Sequence, residues 1–194
     1  MKTFGVLFVG GLAAGALGLG VTAVAEVGPA PSNVSQKAEP VADAFGNLHV
    51  PSGYRTAYQF LGSWAVAADA GQGAKELHVV YASPGIITAY RRDGRFPDDA
   101  VLVKEVFEAA TGPMTTGTVS RAGALKGWFV MTKDSNGRFP GNKLWGDGWG
   151  WSWFDASNPS KTTSTDYKND CRGCHVPAQA SHWVYVNGYP PLKR

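Results

Sequence analysis

Cysteine and methionine are scarce in this chain: two of the first and three of the second in 194 residues. Because Cys171 and Cys174 are the only thiols, a framework of several disulfides is excluded. Charge of one sign is missing too. The formal net charge is only +3 and its cations are scattered, which excludes an extended nucleic-acid surface. Glu108, Asp155, Asp166 and Asp170 stand apart in sequence and form no paired-carboxylate pattern. There is no glycine-rich phosphate loop, no nucleophile motif and no internal repeat, and no helical period runs beyond about twelve residues.

The two thiols stand in Cys171-Arg172-Gly173-Cys174-His175, a CxxCH sequence close to the C-terminus. At that spacing each thiol can form a thioether to a haem vinyl group, and the adjacent His175 reaches the iron from one face. The alternative is a disulfide or a thioredoxin-like CxxC, which belongs near a βαβ unit and requires no histidine at the next position. One covalently bound haem c is the expected cofactor, with Cys171 and Cys174 as anchors and His175 as the metal ligand. A small electron-transfer cytochrome usually has this motif early in a helical chain, with a methionine later as second axial ligand. No methionine follows Cys174 here; Met114 and Met131 precede it, and Met131 falls in the rhythm of a strand core. The pattern points to an iron with one open face, suited to small-ligand binding or chemistry.

Near the N-terminus, Lys2 precedes a run of Gly, Ala, Val and Leu to about Val24, and Ala23-Val24-Ala25 supplies the small-x-small pattern of a signal-peptidase site. Residues 1–25 read as a cleaved signal peptide and the protein as periplasmic. A retained anchor is the other reading, since the apolar run nearly spans a bilayer. Export suits haem attachment in an oxidising compartment. Residues 26–47 read as a flexible linker and 48–194 as a single domain. Seven Trp, seven Tyr and nine Phe suit a protein that wraps a large flat ligand.

Alternation predicts a strand from Tyr54 to Ala67 and a second from Lys75 to Ala82, with Glu76, His78 and Val80 on one face. Ser83 and Pro84 read as N-cap and first residue of a helix that Gly94 ends. Ala100 to Ala109 reads as a strand that sets Leu102, Lys104 and Val106 against Val101, Val103, Glu105 and Phe107. Thr111 to Arg121 reads as a loop and Lys126 to Lys133 as a strand with Phe129 and Met131 on one side. A long loop, Asp134 to Gly148, then leads to a short aromatic strand, Trp149 to Phe154. Thr165 or Asp166 is the expected cap of a short helix entering the CxxCH. The fold class is α+β, mainly an antiparallel sheet with a few short flanking helices.

Several segments together resemble the cytochrome P-460 family. They are Gly94-Arg95-Phe96-Pro97-Asp98 through Val103-Lys104-Glu105, Lys133-Asp134-Ser135, Gly148-Trp149-Gly150-Trp151, and the CxxCH followed by Trp183-Val184-Tyr185 and Tyr189-Pro190. The resemblance runs from about Leu48 onward. It implies a periplasmic, mainly antiparallel β protein, usually a homodimer, whose haem is held by two cysteines and one proximal histidine. Enzymatic members oxidise hydroxylamine, with a soluble cytochrome as the expected electron acceptor. A sister group, cytochrome c′-β, keeps the fold with an apolar distal pocket and binds nitric oxide and carbon monoxide.

Two positions carry the choice between those branches. In the hydroxylamine-oxidising members a lysine is bonded to the haem edge, and Lys104 occupies the matching position. Such a bond needs a neutral amine, which partial desolvation between Leu102 and Val106 would favour; the alternative is a lysine that snorkels to solvent. Those members also carry a distal carboxylate where this chain has Phe129, and phenylalanine cannot take a proton. Phe129 and Met131 are expected in the distal wall. His78, where the family pattern often has arginine, is the candidate catalytic residue, as a distal donor or base; a hydrogen-bonded histidine on a sheet face is the plainer reading. His49 and His182 read as surface or structural. An aromatic platform for polysaccharide would use the tryptophans but leaves the CxxCH unexplained.

Overall fold

The structure is a computed structural model that describes residues 40–193. The signal-peptide reading and the linker up to residue 39 lie outside the described residues. Six strands form one antiparallel sheet in the order β1-β2-β3-β4-β6-β5. They are β1 Gln59–Ala67, β2 Ala74–Ala82, β3 Val101–Met114, β4 Gly117–Lys133, β5 Trp145–Gly146 and β6 Trp149–Asp155. Four short helices flank them: α1 Tyr54–Ala57, α2 Ile86–Asp93, α3 Tyr167–Asp170 and α4 Arg172–His175, the last followed by 3-10 turns to Leu192. This is the mainly antiparallel α+β fold that the alternation predicts.

Each sheet face carries its own core because β3 and β4 alternate apolar side chains on both sides. On one face Val101, Val103, Val130 and Phe154 are buried beneath Val41, Leu48 and Tyr54. On the other, Leu102, Met131, Trp149 and Trp151 pack under α2 and the C-terminal segment through Trp183, Val184 and Tyr189. Close approach at β1 depends on absent side chains. A Cβ on Gly188 would lie 1.8 Å from the Trp64 ring, and one on Gly62 would lie 2.8 Å from Tyr189.

Local structure departs from the alternation in several places. Tyr54–Ala57 is helical, entered through Gly53 in the left-handed region, and the strand starts only at Gln59. Tyr54 and Tyr58 recur at a helical spacing, and the Tyr58 N–H donates to the Tyr54 carbonyl at 2.8 Å. Gly85 precedes α2 as its cap; the Ser83 hydroxyl instead accepts from the Val101 N–H at 3.0 Å, tying β2's end to β3. The span from Thr111 to Arg121 is not a loop but a ribbon, with β3 and β4 paired out to Met114 and Gly117 around a two-residue turn. Pro113 is tolerated there because a two-stranded ribbon leaves one edge unpaired. The long loop contains β5. Ordered structure reaches back into the linker span: Val41 is 3% exposed and Ala42 bridges to Leu48. Asp166 caps α3 as expected, accepting from the Lys168 N–H at 2.9 Å.

One buried acid fastens the N-terminal segment to the sheet. Glu105, 2% exposed, accepts from the Tyr54 hydroxyl and from Arg55 Nε, and the Tyr54 hydroxyl accepts from Trp128 Nε1 at 2.7 Å. Burial, then the adjacent carboxylate, holds the Tyr54 phenol above its usual range, so it stays a donor. Tyr54→Phe removes two hydrogen bonds at once, and urea unfolding should show a loss of about 1–3 kcal/mol with an unchanged m-value.

Candidate functional site

The side of the sheet that faces the C-terminal segment encloses a cavity of about 620 Å³ lined by residues of β1 to β4, β6 and the CxxCH. The register orders that face into successive rows. Ala82, Leu102, Met131 and Trp151 form the first; Val80, Lys104, Phe129 and Trp153 the second; Trp64, His78 and Val106 the third. Rows lie two residues apart along the strands, so the first and third are about 13 Å apart.

The CxxCH sits at the first row. Asp166 starts α3, α3 runs into α4, and α4 presents Cys171, Cys174 and His175 to the cavity. The His175 ring meets Trp151 edge-on with centroids 5.0 Å apart. Its Nδ1 lies 2.7 Å from the Trp183 carbonyl, which can only accept, so Nδ1 carries the proton and Nε2 keeps its lone pair. The backbone arranges this through two left-handed residues, His182 at φ 60° and Trp183 at φ 66°. Burial lowers the His175 pKa, the Trp183 carbonyl raises it and Lys104 lowers it. Cys171 is buried, Cys174 exposed, and both thiols are free. Burial pushes Cys171 up to about 11, which keeps it a thiol at neutral pH.

Lys104 stands in the second row, between the CxxCH and His78. Its ammonium lies 4.3 Å from the Phe129 ring centroid, and it forms no ion pair among the described residues. Burial lowers its pKa, with only weaker opposing pulls from Cys174, Glu76 and Cys171. Phe129 tilts against Trp153 at 4.5 Å between centroids. Met131, 8% exposed, belongs to the first row, the row of the ring that His175 touches.

In the third row, His78 Nε2 lies 3.0 Å from Glu76 Oε2, and Lys126 donates to the other Glu76 oxygen. All three line the cavity. Lys126 reaches this face because β4 bulges there: Val106 pairs with Gly127 and Phe107 with Leu125, leaving Lys126 unpaired.

The profile of the family described as Cytochrome P460 matches residues 51–186. The chain belongs to the cytochrome P460 family. No curated relative matches it. Membership implies a haem, and the residues of this cytochrome P460 fit one. An imidazole with a free Nε2, two free thiols three residues apart at the start and within α4, and a cavity with aromatic walls converge on the same space.

Of the predicted residues, Cys171, Cys174, His175, Lys104, Phe129, Met131 and His78 all line that cavity. His182 lies at the surface and serves through its carbonyl, which accepts from Trp149 Nε1 at 3.0 Å. Residue patterns did not single out Glu76, Lys126 or the Trp183 carbonyl. Glu76 shares the face of His78 by alternation, whereas Lys126 depends on a bulge and Trp183 on a backbone atom.

Lys104 is protonated more readily in the unfolded chain than in the fold, so stability should rise with pH toward the ordinary lysine range. Lys104→Met, in protein expressed without haem, should therefore raise the urea midpoint near pH 7, by a margin that shrinks as the pH rises. An equal margin at every pH would contradict this.

Proposed function

We propose that this cytochrome P460 is a periplasmic mono-haem c protein that binds small nitrogen species and oxidises hydroxylamine. Cys171 and Cys174 would hold the haem by adding each S–H across a vinyl C=C, and His175 would ligate its iron through Nε2. Bound there, the haem supplies a ligand-accepting iron that exchanges single electrons.

The observation that carries the reading is Lys104: a lysine with no ion pair among the described residues, its neutral form favoured by burial, on the row between His175 and His78. That supports the covalent tie to the haem edge implied by the family resemblance. Such a tie replaces a C–H and an N–H with a C–N bond and releases two protons and two electrons to an oxidant. At the far row, His78 would accept protons. Hydroxylamine loses protons and electrons in equal number as its nitrogen is oxidised, so a base near the ligand and a soluble cytochrome to take the electrons complete the chemistry.

Phe129 favours a second reading, a protein that binds nitric oxide or carbon monoxide without turnover. It puts an aromatic ring tilted against Trp153 where the enzymatic branch carries a carboxylate. Hydroxylamine added to the ferric protein with an electron acceptor separates the two. Sustained acceptor reduction that falls at least tenfold in His78→Gln is expected; spectral binding with no acceptor reduction would replace the first reading with the second.

A further inference from the structure

The structure assigns to Glu76 the role of a positioning residue that fixes His78 as a base with Nδ1 open, and to Lys126 that of the counter-charge that restrains it. The inference rests on the proposed proton-accepting role of His78. A carboxylate accepts only, so the 3.0 Å contact makes His78 Nε2 the protonated nitrogen and leaves Nδ1 as the ring's acceptor. No other hydrogen bond is made by His78 among the described residues. A base whose far nitrogen is held by an acid is the arrangement that fixes tautomer and ring orientation in catalytic dyads. Here the acid is shared, since Lys126 donates to the second oxygen of Glu76.

Proton flow through this group balances without a further reagent. One proton leaves the bound nitrogen species for His78 Nδ1, and the Nε2 proton can pass to Glu76, which is 26% exposed and opens to solvent beside Lys126. The electrons leave separately, to the soluble acceptor.

The charges around His78 set how strongly it takes that proton. On its own strand it faces Glu76; from β3, Lys104, with Glu108 paired to Glu76 one row further out; from β4, Lys126. Strand β1 offers only the uncharged Trp64, and the C-terminal segment closes the cavity with Asp170, Cys171, Cys174, His175 and Tyr185. Burial lowers the His78 pKa, Glu76 raises it, and Lys104 and Lys126 lower it. Glu76 itself is held below the usual carboxylate range by Lys126 and then His78.

Two substitutions should therefore move His78 in opposite directions. Histidine C2-proton exchange followed by peptide mass spectrometry gives the titration midpoint of His78 in the haem-loaded protein, in the absence of hydroxylamine. Glu76→Gln should lower the midpoint and Lys126→Met should raise it. A midpoint unmoved by Glu76→Gln, or moved the same way by both variants, would overturn the inference. Because the titration needs no turnover, failure of acceptor reduction would count against the proposed function alone.

Discussion

Strand β3 is bound by its two-residue period: if Glu105 faces one side of the sheet, Lys104 must face the other. Glu105 is committed, because Tyr54 and Arg55 both donate to it and Tyr54 in turn accepts from Trp128. The same network that clamps the N-terminal segment onto one face thus aims a lysine into the cavity on the opposite face. Slipping β3 by one residue would bury Lys104 among Val41, Leu48 and Phe154 and expose Glu105 to the cavity, losing both arrangements. The pairing of Lys104 with Phe129 follows from the same register, so the lysine meets an aromatic face rather than a carboxylate.

Opposite that rigid wall lies a segment with little regular structure of its own. From Tyr167 to Leu192 the chain advances in single helical turns, each end fastened by a side chain or carbonyl: Asp166 at the start, Tyr185's hydroxyl on the Cys174 carbonyl, and Trp183's carbonyl on His175. Such a segment relies on packing more than on propensity. Trp64 against Gly188 and Tyr189 against Gly62 supply that packing at β1, and Trp149 and Trp151 supply it at β6. Cys171, Cys174 and His175 are therefore positioned by contact with the sheet, which ties the geometry of the candidate site to the fold.

Much of this is readable from residues alone where periodicity is strict. The faces of Lys104, His78, Phe129 and Met131 follow from alternation in β2, β3 and β4, and the CxxCH is visible as a motif in the sequence itself. Legibility fails where the backbone breaks period. Lys126 turns to the cavity only because Gly127 lets β4 bulge, since a Cβ there would stand 2.1 Å from the Phe154 carbonyl. The ribbon from Thr111 to Arg121 hides behind its glycine and proline content, and the Trp183 carbonyl is invisible to any reading of side chains. Depth along the cavity also needs the register: alternation puts Met131 and Phe129 on one face but does not say that Met131 falls in the row of Trp151, beside His175.

The row order bears on the proposed cofactor site: a haem anchored at Cys171 and Cys174 would lie between His175 and His78 and reach Lys104 on the way across. Peptide mapping of the mature protein after acid-acetone extraction, with a protease that cuts after glutamate and so leaves the CxxCH whole, tests that directly. The expected result is a haem retained on the peptide that holds Cys171, Cys174 and His175, joined through the same haem to a second peptide containing Lys104. A polypeptide that emerges free of haem would contradict it.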